Sequence, residues 1–269
     1  MKPETKKILK KYETAINEYV KPSSYPIAVK MLKSEKEVPA GAKRPKRNLK
    51  PMVPCQAFTI ARTQGIPIAM SKEDVSHRCG AAYFVFGWVE PPQWWHEGRL
   101  AYKIWAHNLE AGVNMENGVV RFPPGEYWGF VVAPIHKTNF DPDVVALYCN
   151  GYQATLLVNG VRAKTGDRFY TNISGRNACS DAVVATMQTG QPQLTLPCEG
   201  DRVLGQADVH DLIFAAPLDK LSDIADGLKV RVESYAWPAW TSIGLGSIVI
   251  DRYIELDKML IDSGLIDAD

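Results

Sequence analysis

The chain has 269 residues, of which 46% are hydrophobic and 23% are charged, and its formal net charge at pH 7 is +1. This length supports one large domain or two closely packed halves whose core needs no disulfides. The near-neutral charge gives no indication of a nucleic-acid partner. No run of about 18 apolar residues is present, and the charged N-terminus lacks the apolar centre of a signal peptide. We therefore expect a cytoplasmic protein without a membrane span.

Hydrophobic periodicity and turn residues predict the secondary structure in chain order. Helices are expected at residues 1–20, 56–63, 71–85, 100–109, 152–161, 181–187 and 218–228. Strands are expected at residues 25–32, 66–70, 127–135, 144–148, 169–173, 193–196 and 212–216. The segment 248–265 fits either a strand or a helix.

The N-terminal segment 1–20 is amphipathic, because its apolar residues recur at helical spacing on one face. The residues of that face are Ile8, Leu9, Tyr12, Ile16 and Tyr19. We expect this helix to precede a main domain at 21–235 and a C-terminal extension at 236–269. Strands alternate with helices over most of the chain, which favours an α/β or α+β fold with mixed sheets and flanking helices.

One supersecondary unit occurs twice in the sequence. It consists of a cysteine, a helix, a Gly-x-Pro turn, a strand and a second cysteine. The first copy runs from Cys55 to Cys79 with the turn GIP, and the second runs from Cys179 to Cys198 with the turn GQP. This pattern predicts two pseudo-repeated halves, with the four cysteines at corresponding positions where a shared site could form between the halves.

Four paired cysteines in a chain without an export signal have three possible roles. They could be buried structural thiols, ligands of a metal or an iron–sulfur cluster, or a redox-active or nucleophilic thiol. The separations within the pairs are 24 and 19 residues, so a metal site would draw its ligands from four separate loops. Cys149 lies outside the repeated pattern, and we expect it to be an ordinary buried thiol.

The second cysteine of each copy has neighbours that could take part in chemistry. His77 is a candidate acid or base. Asp201 and Arg202 could form a structural ion pair or anchor a substrate carboxylate through the guanidinium. Gly80 and Gly200 would allow a ligand or cluster to approach the backbone closely.

Two other segments have an unusual composition. The basic run at 43–50 (KRPKRNLK) is interpreted as a solvated, proline-containing loop, with an anion-binding edge as the alternative. The segment 88–105 contains four tryptophans, and Trp237 and Trp240 add aromatic surface near the C-terminus. Core packing and a homo-oligomer interface would explain most of these rings, and a pocket for an apolar or aromatic substrate is the alternative.

Four segments together resemble the archaeal-conserved-region family, domain of unknown function 169. They are PIAVKMLKSEKEVPAGAKRP, CQAFTIARTQGIPIAMSKEDVSHRCGAA, VVAPIHKTNFDPDVVALYCN and NACSDAVVATMQTGQPQLTLPCEGDR. The resemblance covers roughly residues 20–230, and LPCEGDR is its most specific part. The chain departs from the family pattern at 88–105 and after Tyr235. The resemblance implies bacterial and archaeal relatives without an assigned activity. A family that is common in anaerobes would suit an oxygen-sensitive cluster.

The combined expectation is a small-molecule enzyme with an iron–sulfur cluster on Cys55, Cys79, Cys179 and Cys198, acting as an oxidoreductase or as a lyase or hydratase. Zinc is the less favoured metal. The substrate would be a small molecule, either aromatic or carboxylate-bearing. The alternative is a non-catalytic protein that binds a small ligand and uses its cysteines structurally. No Walker loop, G-x-G-x-x-G, H-E-x-x-H or G-x-S-x-G motif points to other chemistry.

Overall fold

The computed structural model describes residues 1–232 and 251–265. The strands in this part of the chain are β1 (Ile27–Leu32), β2 (Ile68–Ser71), β3 (Gly129–Pro134), β4 (Val144–Cys149), β5 (Gln193–Thr195) and β6 (Leu212–Pro217). The α-helices are α1 (Pro3–Ala15), α2 (Pro45–Asn48), α3 (Pro54–Thr59), α4 (Ala81–Val85), α5 (Gln93–His96), α6 (Arg99–Ile104), α7 (Leu109–Asn117), α8 (Gly151–Arg162), α9 (Ala185–Thr189), α10 (Glu199–Val203), α11 (Leu221–Val232) and α12 (Asp251–Asp262). Turns of π-helix lie at Ile16–Val20, Ile60–Gln64 and Ser180–Val184, and turns of 3₁₀-helix lie at Glu35–Glu37, Lys72–Asp74, Ile135–Lys137 and Leu218–Lys220.

The chain divides into two compact units, Met1–Ser234 and Tyr235–Asp269. The described part of the second unit contains α12, so a helix forms in the segment for which periodicity left strand and helix open. The aromatic residues Trp237 and Trp240 lie outside the described residues. In the part of the chain that the structure describes, no helix has both the length and the apolar character needed to cross a membrane.

Within the described residues, six strands form one antiparallel sheet in the order β2-β3-β1-β4-β6-β5. Its strands are apolar because helices cover both faces. Ile27, Val29 and Met31 of β1 belong to one buried cluster, whereas the alternate residue Ala28 belongs to the other. The fold is therefore α+β, with a sheet between two helical layers.

The strand order is symmetric about the centre of the sheet. Read outward from the centre, one half has the order β1, β3, β2, and the other half has the order β4, β6, β5. The strand register agrees with this symmetry. Ile27 lies opposite Pro134 in the first half, and Val144 lies opposite Pro217 in the second. At the centre, Ala28 lies opposite Val145. The two halves are thus related by a pseudo-two-fold axis between β1 and β4, as the repeated sequence unit predicts.

The repeated unit has the same local structure in both halves. A helix ends at a glycine in the left-handed conformation, Gly65 with φ 68° and Gly190 with φ 62°. Each glycine is followed after one residue by a proline that precedes an edge strand, β2 or β5. Glycine is favoured at this position because an L side chain in the left-handed region is strained.

The two helical layers differ in their composition. Helices α1, α8 and α11 cover one face of the sheet, and α8 and α11 approach closely where Gly160 meets Gly227. The other face is covered by α3 and α4, by the helical segment 178–189 and by the aromatic residues of segment 84–95. The N-terminal helix is amphipathic as predicted, since Leu9 and Tyr12 are buried in the first of these layers.

Most predicted elements form, and three predictions on the central segments require correction. The predicted helix at 71–85 is interrupted after the 3₁₀ turn, because backbone hydrogen bonds of Met52 with Asp74 and Ser76 hold Val75 in a β-bridge. The predicted helix at 100–109 is divided at Asn108, whose side chain accepts a hydrogen bond from Ala111 and begins α7.

The third correction concerns residues 169–173, which form no strand. This segment runs beside β5 but is held by side chains in place of a backbone ladder. The hydroxyl of Thr171 donates to the Leu194 carbonyl at 2.8 Å and accepts from the Leu194 N–H at 2.9 Å. The backbone N–H of Asn172 donates to the side-chain oxygen of Gln193 at 2.9 Å. The segment is therefore extended, as a strand would be, but it does not form the backbone ladder that a strand requires.

The interpretation of the basic run as a fully solvated loop is wrong at Arg44. Its side chain is buried and donates to Asp74 at 2.6 and 2.9 Å and to Glu35 at 2.8 Å. The guanidinium also lies 4.7 Å from the ring centroid of Trp128. A buried arginine of this kind is structural, and it fixes the segment before α3 against β2 and the turn after it.

Candidate functional site

The first cysteine of each repeated unit begins a helix. Cys55 is the second helical residue of α3, after Pro54. Cys179 is the second helical residue of the segment that starts at Ala178 and continues through the π-helical turn into α9. The two side chains therefore occupy equivalent positions about the pseudo-two-fold axis.

The second cysteine of each unit also precedes a short helix. Cys198 is the N-cap residue of α10, and Cys79 lies two residues before α4. Backbone N–H groups of Ala178, Gly200 and Asp201 lie close enough to the Cys198 thiol to favour its thiolate form. The N–H of Ala82 has the same effect on Cys79. Such N–H groups stabilise negative charge on sulfur.

The four thiols line one cavity on the face of the sheet opposite α1, α8 and α11. The cavity has a volume of about 40 Å³, room for about three water molecules. The remaining lining residues are Ile27, Ala146, Tyr148 and Ile213 of the sheet, Pro54, Phe58, Ala178, Ala182 and Val183 of the helices, and Gly200 and Asp201. Ile27 and Ala146 are cross-strand partners in the β1–β4 pair. The cavity therefore lies beside the pseudo-two-fold axis.

Burial controls the ionisation of the four thiols. Desolvation raises the pKa of Cys55, Cys79, Cys179 and Cys198 above the ordinary value of a cysteine. In Cys179 the neighbouring thiols add to this increase, because several negative charges are unfavourable in one apolar space. The metal-free site thus holds neutral thiols, and a bound cation would convert them to thiolates.

A buried carboxyl group faces the same cavity. The phenol of Tyr148 donates to both oxygens of Asp201, at 2.9 and 3.1 Å. Desolvation raises the pKa of Asp201 to about 6, and the Tyr148 hydrogen bond and the charge of Arg62 lower it in part. The Arg62 guanidinium lies 4.2 Å from the Tyr148 ring centroid. Asp201 is thus a protonatable group in contact with the thiol cavity.

The other residues predicted from sequence lie around the cavity in different ways. Gly200 lines it, and its carbonyl lies 3.3 Å from the Cys55 sulfur, which donates to it. Gly80 is the exposed N-cap residue of α4, and His77 is exposed in the preceding turn. Arg202 is outside the cavity lining and donates to the Asp208 carbonyl at 2.6 Å.

Cys149 is buried in the other hydrophobic cluster, on the opposite face of the sheet. Desolvation raises its pKa to about 12. The expectation of an ordinary buried thiol is confirmed. Since Cys149 is remote from the four-cysteine cavity, it provides a matched control for substitutions in that cavity.

Sequence reasoning missed Tyr148 and Arg62. Tyr148 reads as part of an apolar strand, and only its position on the inward face of β4 brings its hydroxyl to Asp201. Arg62 is buried in the helix of the first repeat and donates to the carbonyls of Gly205 and Gln206 at 3.3 and 3.2 Å. The charge of Arg62 within an otherwise apolar helix could have indicated a special role, because few arginines are buried without a partner.

Among the described residues, no three histidine, cysteine, aspartate or glutamate side chains form a group that could hold a single metal ion. A mononuclear tetrahedral site needs sulfur atoms about 2.3 Å from one ion. A cluster instead binds each cysteine at a different iron, so its ligands stand farther apart.

Comparisons with other proteins identify relatives without an assigned function. Residues 15–227 match the family model DUF169, described as an uncharacterised ArCR. The uncharacterized protein MJ0308 of Methanocaldococcus jannaschii is 27% identical over 208 residues, covering 76% of this chain and 86% of that protein. No solved structure matches the chain. These relatives carry no stated activity, so a functional inference has to rest on the cavity.

Proposed function

Since this chain belongs to DUF169, an uncharacterised ArCR family, its function has to be inferred from its residues, and we propose an oxidoreductase that holds an iron–sulfur cluster. Cys55, Cys79, Cys179 and Cys198 would be the ligands. The observation that carries the proposal is that these four thiols, from four separate segments of the chain, line one cavity. Four cysteine thiolates are the usual ligand set of such clusters.

The chemistry of the cavity walls supports this ligand role. The walls between the thiols are mainly apolar, and backbone N–H groups lie beside Cys79 and Cys198. An apolar surround excludes water, and N–H groups near the sulfurs compensate the negative charge of a cluster and tune its potential. Zinc is the alternative metal, since four cysteine thiolates also form structural zinc sites.

The number of ligands favours electron transfer over lyase or hydratase chemistry. A bound cluster would supply a one-electron redox centre. Lewis-acid catalysis needs an open position on the metal for the substrate, and four protein thiolates leave none. Among the described residues, Asp201 is the one carboxyl in the cavity lining. It is held there by Tyr148 and could accept or release a proton beside the thiols. His77 is exposed nearby and remains a candidate acid or base of the surface.

The two other readings of the cysteines have less support. A nucleophilic cysteine requires a lowered pKa. The four cysteines are partly exposed, but desolvation raises the pKa of each of their thiols. A purely structural role would place unrelated thiols in separate parts of the core. Both cysteines of both repeated units instead line the same cavity. A non-catalytic protein that binds a small ligand remains the alternative function.

The test is the iron, zinc and acid-labile sulfide content of protein purified without oxygen, together with its visible spectrum. We expect about four irons per chain and a broad visible absorption band. The Cys198→Ser variant should lose both, and Cys149→Ser, on the other face of the sheet, should keep both. Full iron content in Cys198→Ser would contradict the proposed ligand set. One zinc without sulfide would indicate a mononuclear site, and a colourless, metal-free protein would favour the ligand-binding alternative.

A further inference from the structure

A second and larger cavity lies on the other face of the sheet, and we call it the α8–α11 pocket. It opens between the end of α8, the loop at residues 164–170, the second Gly-x-Pro turn and the start of α11. Its volume is about 420 Å³, within the range of about 300–1,000 Å³ that small-molecule sites occupy. Among the described residues, none lines both this pocket and the four-cysteine cavity. The pocket is therefore a separate site with room for a small organic ligand.

The inner wall of the pocket is apolar, and its rim carries an exposed ring. Pro192 and Ile224 are buried in the wall, and Phe169 is half-buried. Tyr170 follows Phe169 in the lining and is 79% exposed, the largest fraction of any large hydrophobic side chain in the described residues. An exposed ring at an apolar wall offers a stacking surface to a flat ligand.

The lining of the pocket has a surplus of two positive charges. Its four cationic and two carboxylate side chains are Arg162, Lys164, Arg168, Lys220, Asp167 and Asp223. Lys164 and Asp223 form an ion pair at 3.0 Å. Arg168 is exposed and forms no ion pair within the described residues. The ion pair of Lys220 is long, at 3.9 Å from Nζ to Oδ2 of Asp219. Arg168 and Lys220 are therefore available to an anionic ligand.

The guanidinium of Arg162 is held in place by neutral groups. Nε donates to the Asp167 carbonyl at 2.7 Å, and Nη2 donates to the Gly166 carbonyl at 3.3 Å. Both acceptors belong to the backbone of the loop that follows α8, so the charge of Arg162 is not neutralised by them. Nη1 has no hydrogen-bond partner within the described residues, and it is accessible, since no atom of Arg162 is both buried and unpaired. Arg162 is thus preorganised to donate to an anion.

We propose that the α8–α11 pocket binds a phosphate monoester with a flat ring, of the class of a nucleoside monophosphate. The phosphate would accept from Arg162, Arg168 and Lys220, and the ring would stack on Tyr170. A phosphate monoester carries a charge of about −1.5 to −2 and three acceptor oxygens, which match the surplus charge and the three cations. The fork of a guanidinium suits such oxygens. This binding does not rest on the proposed iron–sulfur cluster, because the two sites have separate linings.

Titration calorimetry of the full chain at low salt, with adenosine monophosphate as the probe, tests the proposal. We expect saturable binding of one probe molecule per chain, weakened by added salt. Lys220→Gln should weaken binding about ten-fold, because a charge-assisted hydrogen bond is lost. Tyr170→Ala should weaken it about five-fold or more through lost stacking, and should leave the affinity for inorganic phosphate unchanged. The control Lys229→Gln removes an exposed cation of α11 outside the pocket lining and should have no effect.

Several outcomes would overturn the assignment. Absence of saturable binding, or wild-type affinity in Lys220→Gln or Tyr170→Ala, would remove the site. Unchanged melting temperatures of these surface variants show that a loss of affinity is not a loss of fold. Adenosine binding as tightly as the monophosphate would rule out phosphate recognition, and inorganic phosphate binding as tightly would rule out the ring contact. Iron content is measured separately, so a colourless protein that binds the probe would refute the redox centre and leave this site standing.

Discussion

The phenol of Tyr148 donates to both carboxylate oxygens of Asp201, at 2.9 and 3.1 Å, across 53 residues of chain. These hydrogen bonds join the end of β4 to α10, the helix that follows Cys198. Arg62, from the repeated helix of the first half, stacks on the same tyrosine at 4.2 Å. Residues from both halves therefore meet at the cavity, and the carboxyl group at their centre has a pKa raised to about 6.

The first prediction concerns the pH dependence of stability in metal-free protein. The pKa of Asp201 is about 6 in the folded chain and 3.8 ordinarily, so the folded state binds the proton more tightly. This group's contribution to stability is therefore full below about pH 4 and is lost as the pH rises through about 6. The loss is about 3 kcal/mol at 1.36 kcal/mol per pKa unit.

Urea unfolding of wild type and Asp201→Asn at a series of pH values isolates that contribution, because the asparagine cannot titrate. Between pH 4 and pH 7, the free energy of unfolding of wild type should fall relative to that of Asp201→Asn by about 2.4 kcal/mol, most of the full change of about 3 kcal/mol. Tyr148→Phe removes a hydrogen bond that lowers this pKa, so it should move the change to higher pH. A difference that stays constant with pH would show that Asp201 is not the group responsible.

The second prediction concerns thiol reactivity. Because desolvation raises the pKa of the four cavity cysteines and of Cys149, the reactive thiolate form is scarce in the native state. Iodoacetamide should label every cysteine of the folded, metal-free protein at least about ten-fold more slowly than in denaturing urea. Mass spectrometry of peptides gives the rate at each site. One fast-reacting cysteine in the native protein would revive the thiol-enzyme interpretation.

The third prediction tests the buried ion pair of Arg44. Asp74→Asn would leave Glu35 as the remaining charged partner of the buried Arg44, which should lower the free energy of unfolding by about 3 kcal/mol, the lower end of the range for breaking a buried pair. Glu73→Gln, the neighbouring substitution, alters an exposed pair with Lys46 at 3.5 Å and should cost less than about 1 kcal/mol. Chemical denaturation of both variants measures the contrast. Equal losses would mean that the Arg44 pair adds little beyond a surface contact.

The fourth prediction uses the duplicated turns. Gly65 and Gly190 both have positive φ, and a Cβ at Gly190 would meet nothing within 4 Å, so backbone strain alone sets the cost there. Gly190→Ala should destabilise the protein by about 1–2 kcal/mol. Gly151→Ala has equal space at a helical position without positive φ and should be neutral or slightly stabilising. A neutral Gly190→Ala would show that this turn relaxes without the left-handed glycine.

The local sequence determined the elements and the repeat. Apolar runs predicted the strands from β1 to β6 because both faces of the sheet are buried. Matching Cys and Gly-x-Pro positions predicted two related halves, and the sheet order agrees with them. The predictions that failed, at 71–85 and 169–173, lie where long-range hydrogen bonds from Met52 and Gln193 override local preference.

The tertiary structure alone decided which polar groups meet. Spacing identified Cys55, Cys79, Cys179 and Cys198 but could not show that they line one cavity, because that depends on how the two halves pair about β1 and β4. The partners Tyr148 and Asp201 are distant in sequence and carry no local signal for each other. Sequence pattern reports the periodicity of burial along a segment, whereas a shared site is set by the packing of segments that the pattern treats independently.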